Sequence, residues 1–286
     1  MRRIEITPGI HSSVLGLGCA PVLGAVDRKR AATAVATALE GGINHFDLAR
    51  SYGYGKAEGF VGRQLRGKRD RVVIATKFGI QANWKAGVLS PLKPFLRSLR
   101  AAATRRGGQE GAKAAPAGAR MAGRLLDRLP ITAGLMQQSL EASLRALATD
   151  YIDILFVHEP HQRIERWEEV IALGDRLKQA GKIRALGLAY MGHQRGLHAT
   201  YVNHFDVTQT NVPTAQDDYA AMLGEGVDPP DLLFSPMQAP FPGLAPGERL
   251  GKVMADFPRS VTLCAMFNPL HLQSNIRIAA ALSTST

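Results

Sequence analysis

The chain repeats one pattern along most of its length, a short apolar run followed by a segment of helical periodicity. Most of these runs are bulky and apolar at consecutive positions, which is typical of strands buried on both faces of a parallel sheet. There are eight of them: VLGLG, INHFD, RVVIATK, YIDILFVH, IRALGLA, FDVTQ, DLLFS and VTLCA. Eight strands that alternate with helices predict an α/β fold, the closed (β/α)8 TIM barrel.

The length of the chain fits one domain of this kind. The sequence has 286 residues, of which 45% are hydrophobic, and a barrel of this type takes up about 250 residues. We therefore expect residues 1–286 to form a single barrel domain. Ahead of the barrel, RRIEI and HSSVLGLG flank the turn sequence TPGI, and this order predicts an N-terminal β-hairpin.

One long interval interrupts the alternation, between the third run, which ends at Lys77, and the helical segment near Met136. Its middle, AAATRRGGQEGAKAAPAGAR, is low in complexity and typical of a flexible linker. Residues 81–130 carry a net charge of +8, within a total of +11. We predict a long basic insertion at about 81–133 that holds two amphipathic helices, one with Leu92, Phe95, Leu96 and Leu99 on a face and one with Met121, Leu125 and Leu129.

The basic charge does not by itself predict a nucleic-acid partner, because no RNP, helix-turn-helix or finger motif accompanies it. No apolar run reaches the roughly 20 residues that span a bilayer. The start, MRRIEITPGIHSSV, lacks the continuous apolar segment of a signal peptide. We therefore expect a cytoplasmic protein with two reduced cysteines and neither a membrane nor a nucleic-acid partner. The oligomeric state is open.

Three ionisable residues stand at the ends of consecutive predicted strands. Asp47 ends the second strand, Lys77 the third and His158 the fourth, and Tyr52 follows in the loop after Asp47. Each of them alone has an ordinary structural explanation, such as a helix cap, a packing aromatic or a surface charge. Because the carboxyl ends of barrel strands form one mouth, the four together predict an active site there.

The chemistry that suits these four side chains is proton donation to a carbonyl oxygen during reduction. A free phenol has a pKa of about 10 and is a weak acid at neutral pH. We expect the ammonium group of Lys77 to strengthen the phenol of Tyr52 as a proton donor, and Asp47 to hold the lysine in place. His158 is expected to bond the substrate oxygen and to orient it.

These residues lie in stretches that resemble the aldo-keto reductases, namely GINHFDLARSYGYGKAEGFVGRQLRGKRDRVVIATKFG and SLEASLRALATDYIDILFVHEP. The similarity extends over nearly the whole chain apart from the insertion. It implies a (β/α)8 barrel with an N-terminal hairpin and a catalytic set that falls on Asp47, Tyr52, Lys77 and His158. It also implies a nicotinamide cofactor, usually NADPH, and a small-molecule aldehyde or ketone as substrate.

The resemblance also implies a set of cofactor-binding residues. They are Gln209 for the nicotinamide carboxamide, Phe234 for stacking on the nicotinamide, Ser235 for the pyrophosphate, His271 at the position of an arginine that clasps the 2′-phosphate, and Asn275 for the adenine. Ala189 and Tyr190 replace the Ser-Asn pair that is common in the family. The resemblance therefore implies NADPH as the cofactor and leaves NADH possible.

Other functions are weaker hypotheses from the sequence. The altered cofactor contacts and the basic insertion would suit a protein that senses a nicotinamide cofactor and binds a partner, with little or no turnover. A further alternative makes the insertion an anchor to an anionic surface. The sequences GYGKAEG and GLGCAPVLG do not fit GxGxxG. His158, Glu159 and His161 do not have the HExxH spacing, so we expect no metal site.

Overall fold

A computed structural model describes residues 1–83 and 125–282, and eight of its strands close into a parallel barrel. Two strands precede the barrel, β1 (Arg3–Thr7) and β2 (Ile10–Ser13), and two others, β6 (Ile80–Ala82) and β7 (Leu126–Arg128), lie outside it. The barrel strands, in their order around the barrel, are β3 (Leu15–Gly18), β4 (His45–Asp47), β5 (Val73–Phe78), β8 (Ile152–His158), β9 (Ile183–Tyr190), β10 (Val207–Asn211), β11 (Leu232–Phe234) and β12 (Val261–Cys264). The predicted barrel is confirmed, and each strand coincides with one of the eight apolar runs.

Strand β5 shows how the barrel orients its side chains. All six of its residues are buried. Val73 and Ala75 belong to the cluster inside the barrel, whereas Ile74 and Phe78 belong to the layer between the strands and the helices. Since side chains alternate along a strand, Lys77 points into the barrel interior with Val73 and Ala75. The continuous apolar run in the sequence reflects this burial on both faces.

The predicted N-terminal hairpin is confirmed and closes the end of the barrel at which its strands begin. Strands β1 and β2 pair antiparallel around a turn at Pro8 and Gly9, and Gly9 has a φ of +80°. Ile10 is fully buried and joins the interior cluster that includes Val73 and Ile154. We call this end of the barrel the floor, and the opposite end, where the strands finish, the mouth.

Helices pack around the barrel and supply the second layer of the core. Within the described ranges they are α1 (Arg28–Glu40), α2 (Ala57–Gln64), α3 (Ala133–Leu147), α4 (Trp167–Gln179), α5 (Arg195–His198), α6 (Gln216–Met222), α7 (Pro246–Asp256) and α8 (Pro269–Ala281). Asp27 caps α1 by accepting a hydrogen bond from the backbone N–H of Arg30. None of the helices in this part of the chain has the length and apolar character needed to cross a membrane.

The insertion leaves the barrel through a two-stranded ribbon. After β5, the strand β6 pairs antiparallel with β7 on the returning chain. The prediction of a helix through Leu125 and Leu129 is wrong over residues 125–129, because β6 offers the backbone hydrogen-bond partners there. The leucine spacing was fortuitous in this segment. The other predicted helix, with Leu92 and Leu99, and the linker lie outside the described residues.

Candidate active site

The site at the mouth contains a buried ion pair between Lys77 and Asp47. Lys77 Nζ donates to Asp47 Oδ1 at 2.5 Å and to the carbonyl oxygen of Leu48 at 3.0 Å. The two side chains are only 3% and 6% exposed. Gln209, from β10, donates its Nε2 to the same Asp47 oxygen at 3.4 Å. Adjacent strands β4 and β5 therefore hold the lysine in one position and one orientation.

Tyr52 lies above this pair on a tight turn after β4. Lys77 Nζ donates to its hydroxyl oxygen over 3.4 Å, and its ring meets that of His158 edge to face, with 6.0 Å between the ring centroids. The turn depends on Gly53, which has a φ of +57° and whose added Cβ would come within 2.6 Å of the carbonyl oxygen of Val22. The loop sequence thus directs the phenol towards the lysine and the histidine.

The four predicted catalytic residues line one cavity of about 140 Å³. Gln209, Phe234 and Ser235, predicted to bind the cofactor, line the same cavity. Phe234 is the last residue of β11, and Ser235 follows it in the left-handed conformation, with a φ of +59°. The structure therefore brings seven of the nine predicted residues together: Asp47, Tyr52, Lys77, His158, Gln209, Phe234 and Ser235.

His271 and Asn275, the two predicted residues on α8, do not line this cavity. His271 is exposed in the first turn of the helix. Asn275 is buried one turn further on, and its Nδ2 donates to Cys264 Sγ at 3.8 Å. Their predicted contacts with the far end of a cofactor stay predictions.

Burial raises the pKa of Tyr52 well above its ordinary value, and the carboxylates of Asp47 and Glu159 add to this rise. The expectation that Lys77 strengthens this phenol as a proton donor stays a prediction, because the net rise in pKa reflects mainly burial. The ammonium group of Lys77 lies 2.5 Å from Asp47 and 3.4 Å from the phenol oxygen, so the carboxylate of Asp47 opposes the effect of Lys77 on Tyr52. Tyr52 is consequently a neutral phenol at neutral pH, the form that can donate a proton.

Burial and nearby charges also shift the pKa values of His158 and Asp47. Burial lowers the pKa of His158 well below its ordinary value, and the positive charges of Lys77 and Arg128 lower it further. Burial raises the pKa of Asp47, while Lys77 and Gln209 oppose that rise. His158 is therefore neutral and can donate or accept a hydrogen bond, and its buried Nδ1 has no partner among the described residues.

Sequence reasoning did not assign Glu159 or Glu58 to the site. Glu159 lines the cavity directly after His158. Glu58, 1% exposed, accepts hydrogen bonds from Arg50 at 2.5 Å and Thr76 at 2.7 Å, which fastens the Tyr52 loop to β5. A glutamate in the first turn of a helix looks like a solvated residue in sequence, so only the positions of Arg50 and Thr76 reveal its role.

The fold and the site together define a class of protein, a (β/α)8 barrel with a buried lysine–aspartate pair and a neutral phenol at its mouth. The family model described as the aldo/keto reductase family matches residues 14–113 and 124–207. This is more than half of the sequence, and the chain belongs to that family.

Individual relatives agree with this assignment. The chain is 30% identical to the aldo-keto reductase YhdN of Bacillus subtilis over 187 residues, which are 63% of this chain and 44% of the relative. It is 29% identical to the NADH-specific methylglyoxal reductase of Escherichia coli over 203 residues, 66% of this chain and 52% of the relative. The chain thus spans about half, or less, of these curated relatives.

Among solved structures, the fold resembles a crystal structure from Pseudomonas aeruginosa assigned to the aldo-keto reductases. The TM-score is 0.69, the sequence identity is 24%, and the match covers 98% of this chain and 95% of the other. At this identity the likeness supports the fold. The barrel inferred from the strand pattern is therefore the barrel of the family.

Proposed function

We propose that the protein is an NAD(P)H-dependent oxidoreductase that reduces an aldehyde or ketone, with Tyr52 as the general acid. The observation that carries the proposal is the position of the Tyr52 phenol, in one cavity with the Lys77–Asp47 pair and the neutral imidazole of His158. A reduction needs one group that donates a proton to the carbonyl oxygen and another that orients that oxygen. Tyr52 has a neutral phenol that can donate the proton, and His158 has a neutral imidazole that can bond the oxygen.

The residues of the mouth fit a nicotinamide cofactor. Gln209 is 2% exposed, and its Oε1 is a buried acceptor without a partner in the described part of the chain. A buried amide oxygen of this kind is costly unless a donor meets it, and a carboxamide N–H group would satisfy it. Phe234 would offer an aromatic face to the ring and Ser235 a hydroxyl to a phosphate. His271 and Asn275 would hold the adenosine portion.

In the proposed reaction, each side chain has one task. When bound, the cofactor supplies the hydride that reduces the carbonyl carbon. Tyr52 gives its phenolic proton to the carbonyl oxygen, and His158 bonds that oxygen and fixes its direction. Lys77, held by Asp47 and the Leu48 carbonyl oxygen, stays beside the phenol and stabilises the phenolate that forms after transfer.

The choice between NADPH and NADH rests on the residues at the cofactor's outer end. A guanidinium group recognises a phosphate by two parallel hydrogen bonds, which an imidazole cannot form. His271 therefore provides a weaker phosphate contact than an arginine would. The relative from Escherichia coli is named as NADH-specific, so both cofactors belong in the test, and we propose NADPH with NADH as the possible alternative.

The alternative of a cofactor-sensing protein without turnover receives no support from the relatives. Both relatives are named as reductases. A sensor would also have no use for a phenol positioned against a buried lysine. We therefore propose turnover of a small carbonyl compound.

The test begins with fluorescence titrations of the purified protein with NADPH and NADH, followed by a panel of aldehydes and ketones. Tyr52→Phe should keep cofactor binding and lose turnover by about 10² or more, the contribution of a positioned general acid. Tyr54→Phe is the matched control, because it removes a neighbouring phenol that does not line the cavity. Equal turnover by Tyr52→Phe and the parent would refute the mechanism, and no turnover of any carbonyl by the parent would refute the function.

A further inference from the structure

Ser235 begins a short turn at the edge of the cavity. It lines the cavity directly after Phe234, the last residue of β11. Its φ of +59° is left-handed, a conformation that is costly for a residue with a side chain and persists only where the surroundings hold it. Its carbonyl oxygen accepts from the N–H of Gln238 at 3.0 Å, so the turn Pro236–Gln238 is one source of that support.

Arg249 holds this turn from α7. Its Nη1 donates to the carbonyl oxygen of Met237, inside the turn, at 2.5 Å. Its Nη2 donates to the carbonyl oxygens of Phe241 at 2.8 Å and Leu244 at 3.1 Å, in the loop that leads to α7. One planar guanidinium group therefore fixes three backbone oxygens between Ser235 and the helix.

The guanidinium group of Arg249 bonds the backbone rather than an acid. Arg249 lies in the first turn of α7, next to the fully buried Leu250. No carboxylate of the described residues forms an ion pair with it, and the adjacent Glu248 accepts from the N–H of Ala245 instead. An arginine that has no acid partner and contacts three carbonyl oxygens serves to fix the path of the loop.

Apolar packing holds the middle of the same loop. Ala239 is 3% exposed and belongs to a core cluster with Val253 of α7 and Phe257. Phe241 packs partly buried against this cluster. Loss of the guanidinium group should therefore loosen the turn beside Ser235 while the loop stays attached to α7 and the barrel stays folded.

We propose that Arg249 is a positioning residue for cofactor binding: by fixing the carbonyl oxygen of Met237, it holds Ser235 where its hydroxyl meets a phosphate group of the cofactor. This inference rests on the proposed function, in which Ser235 offers that hydroxyl. It adds a residue that does not itself line the cavity. Because Arg249 acts through the turn, its loss should weaken cofactor binding and leave the chemical step unchanged.

The test measures the dissociation constants of NADPH and of ADP, which carries a diphosphate without the nicotinamide, for the parent and for Arg249→Met. The variant should raise both constants about tenfold, the scale of one hydrogen bond to a charged group. At saturating NADPH, kcat and the KM for the carbonyl compound should stay within about twofold of the parent. Unchanged affinity for both ligands, or a loss confined to kcat, would overturn the inference.

Two further variants separate geometry from charge. Arg249→Lys should recover only part of the affinity, since an ammonium group cannot bond the three oxygens as one planar fork does. Arg259→Met is the matched control, because it removes an exposed arginine between α7 and β12, at the other end of the helix. It should leave both dissociation constants unchanged. Full recovery with lysine, or equal losses in Arg249→Met and Arg259→Met, would mean that only charge matters and would contradict the positioning role.

A double-mutant cycle with Ser235→Ala tests whether Arg249 acts through Ser235. If it does, each single variant weakens ADP binding, and the double variant binds no more weakly than the weaker of the two. Additive losses would show that the two residues act independently and would refute the inference. Urea titrations establish that each variant is folded under the conditions of the binding measurements.

The binding measurements also distinguish this inference from the proposed function. A parent that binds ADP but reduces no carbonyl compound refutes the proposed function, while the cycle on ADP still decides the role of Arg249. A parent that binds neither ADP nor NADPH overturns the inference as well, because Ser235 then has no phosphate to contact.

Discussion

Two buried amide side chains, Asn44 at the floor and Gln209 at the mouth, differ in how fully they are hydrogen-bonded. At the floor, Asn44 accepts from the Ser13 N–H at 2.6 Å and donates to the His11 carbonyl oxygen at 3.0 Å, so the hairpin satisfies the side chain. At the mouth, Lys77 and Asp47 are charged, and Gln209 keeps an unbonded buried oxygen. A satisfied side chain such as Asn44 stabilises the fold, whereas the unbonded oxygen of Gln209 leaves an atom for a ligand.

Substitutions at the two ends should affect different properties of the protein. A floor residue should affect the free energy of unfolding and leave turnover alone. A mouth residue should affect turnover, with a stability effect set by the charge that it leaves behind. The following substitutions test this separation, from the largest expected effect to the smallest.

Lys77→Met at the mouth should have the largest effect. It should lower turnover by about 10² or more and lower the free energy of unfolding by about 3–5 kcal/mol, since it leaves Asp47 buried without its partner. The double variant Asp47→Asn/Lys77→Met should recover much of the stability and none of the turnover. Urea titrations and steady-state kinetics measure the two quantities. Recovery of turnover in the double variant would contradict the role of Lys77.

Asn44→Ala at the floor should lower the free energy of unfolding by about 2–3 kcal/mol, because the N–H of Ser13 and the carbonyl oxygen of His11 lose their partner. Turnover of the folded protein should match that of the parent. Asn203→Ala, on an exposed turn, is the control and should change stability by less than about 0.5 kcal/mol. A loss of turnover in folded Asn44→Ala would show that the two ends are coupled.

Acid should destabilise the protein partly through His45, which is fully buried at the floor against Ser12. Burial, aided by the charge of Lys77, lowers the pKa of His45 to about 3. An unfolded histidine titrates near 6.5, so below that pH the unfolded state binds more protons and stability falls. At pH 5.5 the contribution is about 1.4 kcal/mol relative to pH 8.

The measurement is the free energy of unfolding between pH 8 and pH 5.5, for the parent and for His45→Gln. The variant should show a flatter dependence by about 1.4 kcal/mol over this range, because it removes one group that protonates only on unfolding. Its stability at pH 8 is the reference. Parallel curves for the two proteins would show that His45 does not titrate on unfolding.

The smallest expected effect belongs to His271, on the exposed helix beyond the cavity. His271→Arg should raise the preference for NADPH over NADH by about fivefold, because a guanidinium group can bond the 2′-phosphate through two N–H groups. Titration of both cofactors measures the ratio. An unchanged ratio would mean that another basic residue contacts the phosphate, and would remove His271 from the cofactor site.

Much of the fold could be predicted from sequence because it depends on local patterns. All eight barrel strands coincide with the eight short runs named from the sequence, most of which are apolar at consecutive positions, and the hairpin turn coincides with Pro8 and Gly9. Helical periodicity was less reliable in detail. In α1, Ala34 and Ala38 are buried, whereas Ala36 between them is exposed. A run of alanines does not distinguish one helix face from the next, and packing against the barrel decides it.

That the candidate site residues lie together could also be predicted from the sequence alone. Polar residues at the ends of successive apolar runs must meet at one mouth once parallel strands close into a barrel, and Asp47, Lys77 and His158 do so. The sequence also identified Tyr52, because a glycine-rich loop after Asp47 brings its phenol back over the strand ends. These inferences needed only strand order and direction.

The tertiary structure decided the electrostatics and the long-range contacts. Lys77 forms an ion pair with Asp47, and burial is the largest cause of the raised pKa of Tyr52. Arg128 reaches Glu159, 31 residues away in sequence, and β7 forms because β6 is beside it. Charge interactions and strand pairing depend on distances between residues far apart in the chain. No local pattern encodes those distances. The sequence therefore predicted which residues belong to the candidate site, and only the tertiary structure showed which residues they contact.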